Sequence, residues 1–292
     1  MTPVCIFEQD EWSADIDADR QEAALATLEN GGILVFPRLP FAFLDVEQPL
    51  FDRVVVGRRS KNVSYEVATG KIRGVPRALR DEPALLSLMR RYTEQSNALV
   101  HRLFPSYVRA LIPGRISFRP GDVAVRKLSW RKDDSRMHID AFPSRPTCGH
   151  RLLRVFSNIS PAGQARVWRV GEPFAAVARR FLPMLGRPIP GSAAILHLLG
   201  VTQDRRSEYD HLMLQLHDRM KGDARYQASC PSTEMSFAAG TTWITTTDLV
   251  SHAAMSGKYM MESTLLLPVA AMRTPERAPL RVLEHLMGRT LV

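Results

Sequence analysis

Residues 116–159 read ISFRPGDVAVRKLSWRKDDSRMHIDAFPSRPTCGHRLLRVFSNI. Three segments of this stretch, ISFRP, DVAVRKLSW and RLLRVFSNI, have the β-branched and aromatic content of strands, with the polar turn RKDDSRM between the second and third. The same texture resumes at GTTWITTT (240–247) and YMMESTLLLPVAA (259–271). Helical spacing interrupts it near 173–182 (PFAAVARRFL) and 207–222 (SEYDHLMLQLHDRMKG), and a last helix at 279–287 (PLRVLEHLM) closes the chain. Upstream, 18–30 is helical and stops at Gly31-Gly32, and ILVFPRLPFAF reads as a buried strand broken by Pro37 and Pro40. Residues 50–78 read as loop with one or two strands. The longest helical pattern covers 81–103, with Asp81 as N-cap and Pro83 in the first turn. This order predicts an α+β chain: one domain over 1–292, with a helical and mixed part at 1–115. A β-sandwich or barrel follows at 116–270, carrying a helical insert at about 173–222.

The composition narrows the partners. The chain has 292 residues, a net charge of +9 and 45% hydrophobic residues, which excludes wholesale disorder. Of 39 basic residues 33 are arginine, whose planar fork grips carboxylate and phosphate as lysine does not. Nucleic acid, an anionic membrane face or a small acidic substrate all fit, and codon bias accounts for part of the excess. Cys5, Cys148 and Cys230 form no disulfide framework and no CxxC pair, which points to free thiols in a reducing compartment. The acidic N-terminus has no apolar run and no stretch of about 18 apolar residues occurs, so a cytoplasmic protein is expected.

The chemistry centres on His138-Ile139-Asp140 and on His252, 112 residues after Asp140. Period two puts residues i and i+2 of a strand on one face, so His138 and Asp140 can converge on one metal ion. A remote histidine completes a two-His-one-carboxylate triad, which leaves octahedral Fe(II) open positions for a co-substrate and O₂. H-x-D alone is close to the chance expectation for eight histidines, at about one in ten each. The flanking strand patterns give it weight. His211 and His217 are six apart, off the spacing of a helical metal pair, and read as helix packing. No Walker A, GxGxxG or GxSxG motif is present.

The runs RKDDSRMHIDAFPSRPTCGHRLLRVFSNISPAGQARVWRVGEPF, YDHLMLQLHDRMK and GTTWITTTDLVSHAAMSGKYMMEST resemble the Kdo hydroxylase family, as do ENGGILVFPRLPF and RRSKNVSYE. The resemblance covers roughly residues 20–270. It implies a double-stranded β-helix (jelly-roll, cupin-like) core flanked by helices. It further implies Fe(II), 2-oxoglutarate and O₂ as cofactor and co-substrates. The implied reaction is hydroxylation at C3 of 3-deoxy-D-manno-oct-2-ulosonic acid (Kdo) in the lipopolysaccharide inner core, with succinate and CO₂ as co-products.

On that resemblance His138, Asp140 and His252 hold the metal. The arginine that many 2-oxoglutarate oxygenases carry about ten residues after the distal histidine is missing from Lys258–Thr264. Arg154, 14 residues after Asp140, is then the expected anchor for the distal carboxylate, with Arg151 as the alternative and Lys258 as an outside candidate. The acceptor, an anionic sugar on a phosphorylated glycolipid (Kdo-lipid A), would meet Arg126, Lys127, Trp130, Arg131, Lys132, Arg166, Trp168 and Arg169, the tryptophans stacking on sugar faces. Loop 57–62 (GRRSKN) is a second anion-contacting segment, and peripheral contact with an anionic membrane face is expected. Two other readings stay open: an arginine-rich nucleic-acid binder, which lacks any helix-turn-helix, zinc-finger or RNP signal, and a metal-free cupin-like sugar-binding module.

Overall fold

The computed structural model describes residues 2–52, 55–57, 60–80, 82–124 and 129–292. Eleven strands are assigned among them: β1 Val4–Ile6, β2 Ile33–Phe36, β3 Val63–Glu66, β4 Lys71–Arg73, β5 Ile112–Arg119, β6 Arg151–Asn158, β7 Arg166–Pro173, β8 Thr233–Phe237, β9 Thr242–Thr246, β10 Val250–Ser256 and β11 Met260–Leu267. The helices are α1 Ala18–Glu29, α2 Pro49–Asp52, α3 Pro83–Leu103, α4 Phe174–Phe181, α5 Ser192–Leu198, α6 Glu208–Gly222, α7 Ala224–Ser229 and α8 Pro279–Met287. Eight strands make a large sheet in the order β1-β2-β9-β6-β11-β5-β3-β4, antiparallel except for the parallel β1–β2 pair. Three more, β10-β7-β8, make a smaller antiparallel sheet.

The outer face of the large sheet is closed by α3. Pro83 takes its first turn, where a missing N–H costs nothing, and Leu85, Leu88, Met89, Tyr92, Leu99, Val100 and Leu103 recur at helical spacing and are buried. Tyr92 Oη lies 3.2 Å from both the Val155 carbonyl and Ser157 Oγ, so the helix is tied to β6 by polar as well as apolar contacts. At the other flank, α1 opens with Asp17 accepting from the Arg20 N–H at 2.8 Å and closes at Gly31, whose φ of +72° suits a residue without Cβ. The next residues enter β2, whose carbonyl and amide groups lie between β1 and β9. β6 runs through the middle of the sheet, is buried along its whole length and pairs with β11 and β9.

The segment 134–140 is the device that builds the site. It runs beside β10 as an irregular fourth strand of the smaller sheet. Ala254 donates to the Asp134 carbonyl at 2.8 Å, and His138 and His252 exchange both backbone hydrogen bonds at 3.0 and 2.8 Å. Asp140 N–H then donates to the Thr247 carbonyl at 3.0 Å. Gly171 on β7 leaves room for the segment: a Cβ there would sit 2.5 Å from Met137 Cε and 2.6 Å from Ser251 Oγ, so both side-chain ends would have to shift.

Two expectations are corrected. DVAVRKLSW is no strand where it is described: 122–124 form a bend and turn, and Trp130–Lys132 is a single 3₁₀ turn. Residues 125–128 of that stretch lie outside the described residues, as does the expected N-cap Asp81. The helices between β7 and β8 also continue past 222 through α7 to Ser229, because Asp223 caps a further turn by accepting from the Tyr226 N–H at 3.0 Å.

Candidate metal centre

Three side chains converge where segment 134–140 meets β10. His138 and His252 are buried, their rings 4.7 Å apart. His138 Nε2 is 3.6 Å from Asp140 Oδ1, and His252 Nε2 is 3.9 Å from Asp140 Oδ2. Among the described residues this is the one group of three potential metal ligands, its atoms all within 4.8 Å of one another. Each imidazole is oriented from behind. His138 Nδ1 lies 2.7 Å from the Arg136 carbonyl and His252 Nδ1 lies 3.1 Å from the Val250 carbonyl. A carbonyl only accepts, so each Nδ1 carries the proton and each Nε2 turns a lone pair inward.

The protonation states agree with a ligand set. Burial drives the His138 imidazole down to about 4, against the upward pull of its Asp140 hydrogen bond, and Lys221 and His252 push it the same way. Burial also lowers His252. Burial alone would raise Asp140, but the Arg154 guanidinium, followed by His138 and His252, holds its carboxyl well below the usual range. Two neutral imidazoles and one carboxylate are the donors that a divalent first-row metal such as Fe(II) takes.

Arg154 stands where β6 faces this centre. Its guanidinium bonds Asp140 and Glu262 of β11, and its Nε donates to Thr264 Oγ1 at 3.3 Å. Glu262 is shared with Arg119, whose Nε is 2.9 Å from it. Asp134 joins the same network, 3.0 Å from Lys61 Nζ, 3.6 Å from Lys221 Nζ and 3.7 Å from Arg119 Nη1. Lys61, Arg119, Arg154 and Lys221 thus interlock with three carboxylates, Asp134, Asp140 and Glu262, beside the metal cavity. Sequence reasoning missed Glu262, Asp134, Arg119 and Lys221. For Glu262 the available signal was a single charge inside the otherwise uncharged strand MMESTLLL.

The other expected residues divide sharply. Arg166 is buried on β7, lines the metal cavity together with Phe156, Trp168, Ala254 and Met260, and donates from Nη1 to the Gly257 carbonyl at 2.8 Å. Trp168 is no surface platform for a sugar. It is buried and stacks on the His252 ring, centroids 5.3 Å apart and planes 21° apart, with Phe156 and Trp243 behind it. Trp130 sits beneath its own neighbour Arg131, whose Cζ lies 4.1 Å from the ring centroid, and Arg131 pairs with Asp218 at 3.1 Å. Neither reaches the centre. Arg169 turns outward to Ser232, and Lys132 and Lys258 are exposed. Arg126, Lys127 and the Arg58-Arg59 pair of loop 57–62 lie outside the described residues. His217 is better placed than expected: its ring packs edge-on against His138 at 5.4 Å, while its Nδ1 bonds Asp218 at 2.9 Å.

Arg151 is also corrected. Three residues before Arg154 on a regular strand, it points to the opposite face, where Nε and Nη2 grip Asp248 at 2.7 and 3.2 Å in the core. It cannot reach the metal cavity.

A second cavity of about 420 Å³ shares Arg119, Arg154 and Glu262 with the metal cavity. It extends across β11, β5 and β3 beneath the loop 142–147. Arg145 Nη2 is 3.0 Å and Arg73 Nη2 4.0 Å from the one carboxylate Glu66. Arg115 Nε is buried with no hydrogen-bond partner, and burial with the nearby Arg145 pushes this guanidinium down to about 10.

Comparison with known proteins accords with this arrangement. Residues 11–290 match the family model described as 3-deoxy-D-manno-oct-2-ulosonic acid (Kdo) hydroxylase. Crystal structures of the Kdo hydroxylase KdoO, a non-heme Fe(II) alpha-ketoglutarate-dependent dioxygenase, are similar to this chain at 43% identity over 99% of it and 97% of theirs. The TM-score is 0.95 for the complex with alpha-ketoglutarate and Fe(III), 0.96 with cobalt(II), and 0.94 with succinate and Fe(III). No curated protein matches. The shared fold is the double-stranded β-helix of these dioxygenases, mixed α+β as the strand pattern required.

Proposed function

The chain belongs to the Kdo hydroxylase family, iron- and 2-oxoglutarate-dependent dioxygenases acting on Kdo, and from that premise we propose how its residues divide the reaction. His138 Nε2, Asp140 and His252 Nε2 hold the iron; their convergence within 4.8 Å, with both Nδ1 atoms pinned by carbonyls, is the observation that carries the reading. Bound together, iron, 2-oxoglutarate and O₂ supply hydroxylation of an unactivated C–H bond, with succinate and CO₂ as co-products.

The chain's own residues position and neutralise. Arg154, the anchor expected from the sequence, is already committed to Asp140 and Glu262, so its work is to keep Asp140 ionised and aimed. Arg166, buried on the apolar wall formed by Phe156, Trp168, Ala254 and Met260 and steadied by the Gly257 carbonyl, is assigned the distal carboxylate of 2-oxoglutarate. Trp168 holds the His252 ring by stacking and excludes water behind it. No side chain is needed as a general base for attack on a C–H bond, and none is assigned.

The 420 Å³ cavity takes the acceptor, with Arg115 and Arg145 on its wall receiving its carboxylate or phosphate. The target is C3 of Kdo on the lipid A precursor, met at the anionic membrane face. The arginine-rich nucleic-acid reading calls for basic groups gathered on an open face, whereas Arg119, Arg151, Arg154 and Arg166 are turned inward. The test is mass spectrometry of Kdo-lipid A incubated with the protein, iron, 2-oxoglutarate and ascorbate. One added oxygen on Kdo, lost on chelation, is the expected result; an unmodified acceptor alongside normal iron binding overturns the assignment.

A further inference from the structure

Thirteen large hydrophobic residues are exposed among the described residues, and six of them fall within 184–201: Met184, Ile189, Ile195, Leu198, Leu199 and Val201. Leu198 is 86%, Ile189 75% and Leu199 69% exposed. This segment is not a fraying end. Gly186 exchanges two hydrogen bonds with the Gln215 side chain of α6, at 2.9 and 2.7 Å, and Gln203 N–H donates to the Ser144 carbonyl at 2.9 Å. Between these anchors α5 closes at Gly200 (φ +67°), where Val201 N–H turns back to the Leu196 carbonyl at 2.9 Å. A folded turn, held at both ends, thus presents its apolar side chains to solvent.

Two features say what covers it. The first is charge. Residues 173–206 contain Arg179, Arg180, Arg187, Arg205 and Arg206 against one acid, Asp204, so the apolar turn is flanked along the chain by a net positive charge, although Arg180 is paired with Glu172. Apolar side chains flanked by arginines match the interfacial zone of an anionic bilayer, which takes the former among its acyl chains and the latter at its headgroups. The second is position. Gln203 and Asp204 at the end of the segment line the 420 Å³ acceptor cavity, and Arg206 bonds the Pro143 carbonyl in the loop that roofs it.

We propose that the 184–206 segment is a membrane-docking prow: it seats the enzyme on an anionic lipid surface beside the mouth through which a lipid-borne acceptor enters. The proposal rests on the acceptor reading above for the purpose of docking, but not for the docking itself. The prow supplies a two-dimensional search for the acceptor, and the cavity supplies selection.

The probe is sedimentation with vesicles of phosphatidylglycerol and phosphatidylcholine, compared with phosphatidylcholine alone. Wild-type protein should sediment with the anionic vesicles and release from them as salt rises. Leu198→Glu with Leu199→Glu should weaken that binding about ten-fold or more, and Arg187→Ala with Arg205→Ala should weaken it and flatten its salt dependence. Binding that both variants leave unchanged, or no binding by the wild type, overturns the proposal. So does a monomer–dimer equilibrium abolished by the leucine changes, which would make the segment a contact between copies. Succinate release with a water-soluble Kdo acceptor, measured alongside, should be the same in wild type and leucine variant. Its absence in both would sink the catalytic reading while leaving the vesicle result to stand or fall alone.

Discussion

Replacing Arg151 by methionine should unfold the protein more readily without touching co-substrate binding. Arg151 and Asp248 have side chains 1% and 2% exposed, joined by contacts of 2.7 and 3.2 Å. Removing the guanidinium strands a carboxylate in the core, at a cost of about 3–5 kcal/mol. That is a large part of the roughly 5–15 kcal/mol by which a domain is stable. With a urea dependence of about 3 kcal/mol per molar, the unfolding midpoint should fall by about 1–2 M. A second change, Asp248→Leu in the same chain, should return most of the loss, because two well-packed apolar side chains replace a desolvated pair. Asp248 adjoins Thr247, whose carbonyl receives the Asp140 N–H, so a fall in iron affinity should accompany the single variant and reverse in the double. The assays are urea titration by circular dichroism and a steady-state titration against 2-oxoglutarate. A midpoint shift under about 0.2 M together with a ten-fold higher KM for 2-oxoglutarate would show that Arg151 serves the co-substrate and that the reasoning is wrong.

His138→Ala, Asp140→Ala and His252→Ala should each abolish turnover in a folded protein, checked by succinate release beside a thermal melt; full activity in any one, with iron retained, would remove the triad. Arg166→Ala should raise the KM for 2-oxoglutarate by roughly one to three orders of magnitude, at about 1.4 kcal/mol per ten-fold. Arg154→Ala should instead weaken iron binding, by isothermal titration, more than it changes that KM. Glu29 sets an acid limb. Burial would raise its carboxyl, but hydrogen bonds from Thr274, Tyr107 and the Arg273 N–H hold it below the usual value. A lowered folded value means stability present above about pH 4.5 and lost as pH falls below it, so urea midpoints of Glu29→Gln should depend less on pH than wild type across that range.

How much of this was legible in the chain depends on distance along it. His138, Ile139 and Asp140 declare themselves through the two-residue period, and His252 through the strands around it. The fold class follows from the same strands. Arg154 was locatable but its role was not, since Glu262 lies 108 residues away and meets it only when β11 pairs with β6. Arg151 was separable from Arg154 by strand parity, and its partner Asp248 was not. Trp168 misled because an aromatic beside two arginines reads as exposed, whereas β7 turns Arg166, Trp168 and Val170 inward and the tryptophan packs on His252. The segment 122–132 carried β-forming residues yet is folded as turns where described, since the strand that matters there begins later, at Asp134.

All four helices from α4 to α7 are threaded between two strands of the smaller sheet, and no metal ligand lies in them. The ligands come from residues 138–140 and 252, on either side of that excursion, and are fixed to each other by the reciprocal His138–His252 backbone bonds. Two inheritances are therefore separable in one gene. The reactive core keeps its own backbone bonding but leans on α6 and α7, through His217 against His138, Lys221 at Asp134 and Gln227 at both backbone groups of Met137, so the part free to lengthen, shorten or change its surface is the exposed turn at 184–201. Descendants of this architecture can acquire new acceptors, or new places to find them, by rewriting a single continuous stretch of sequence.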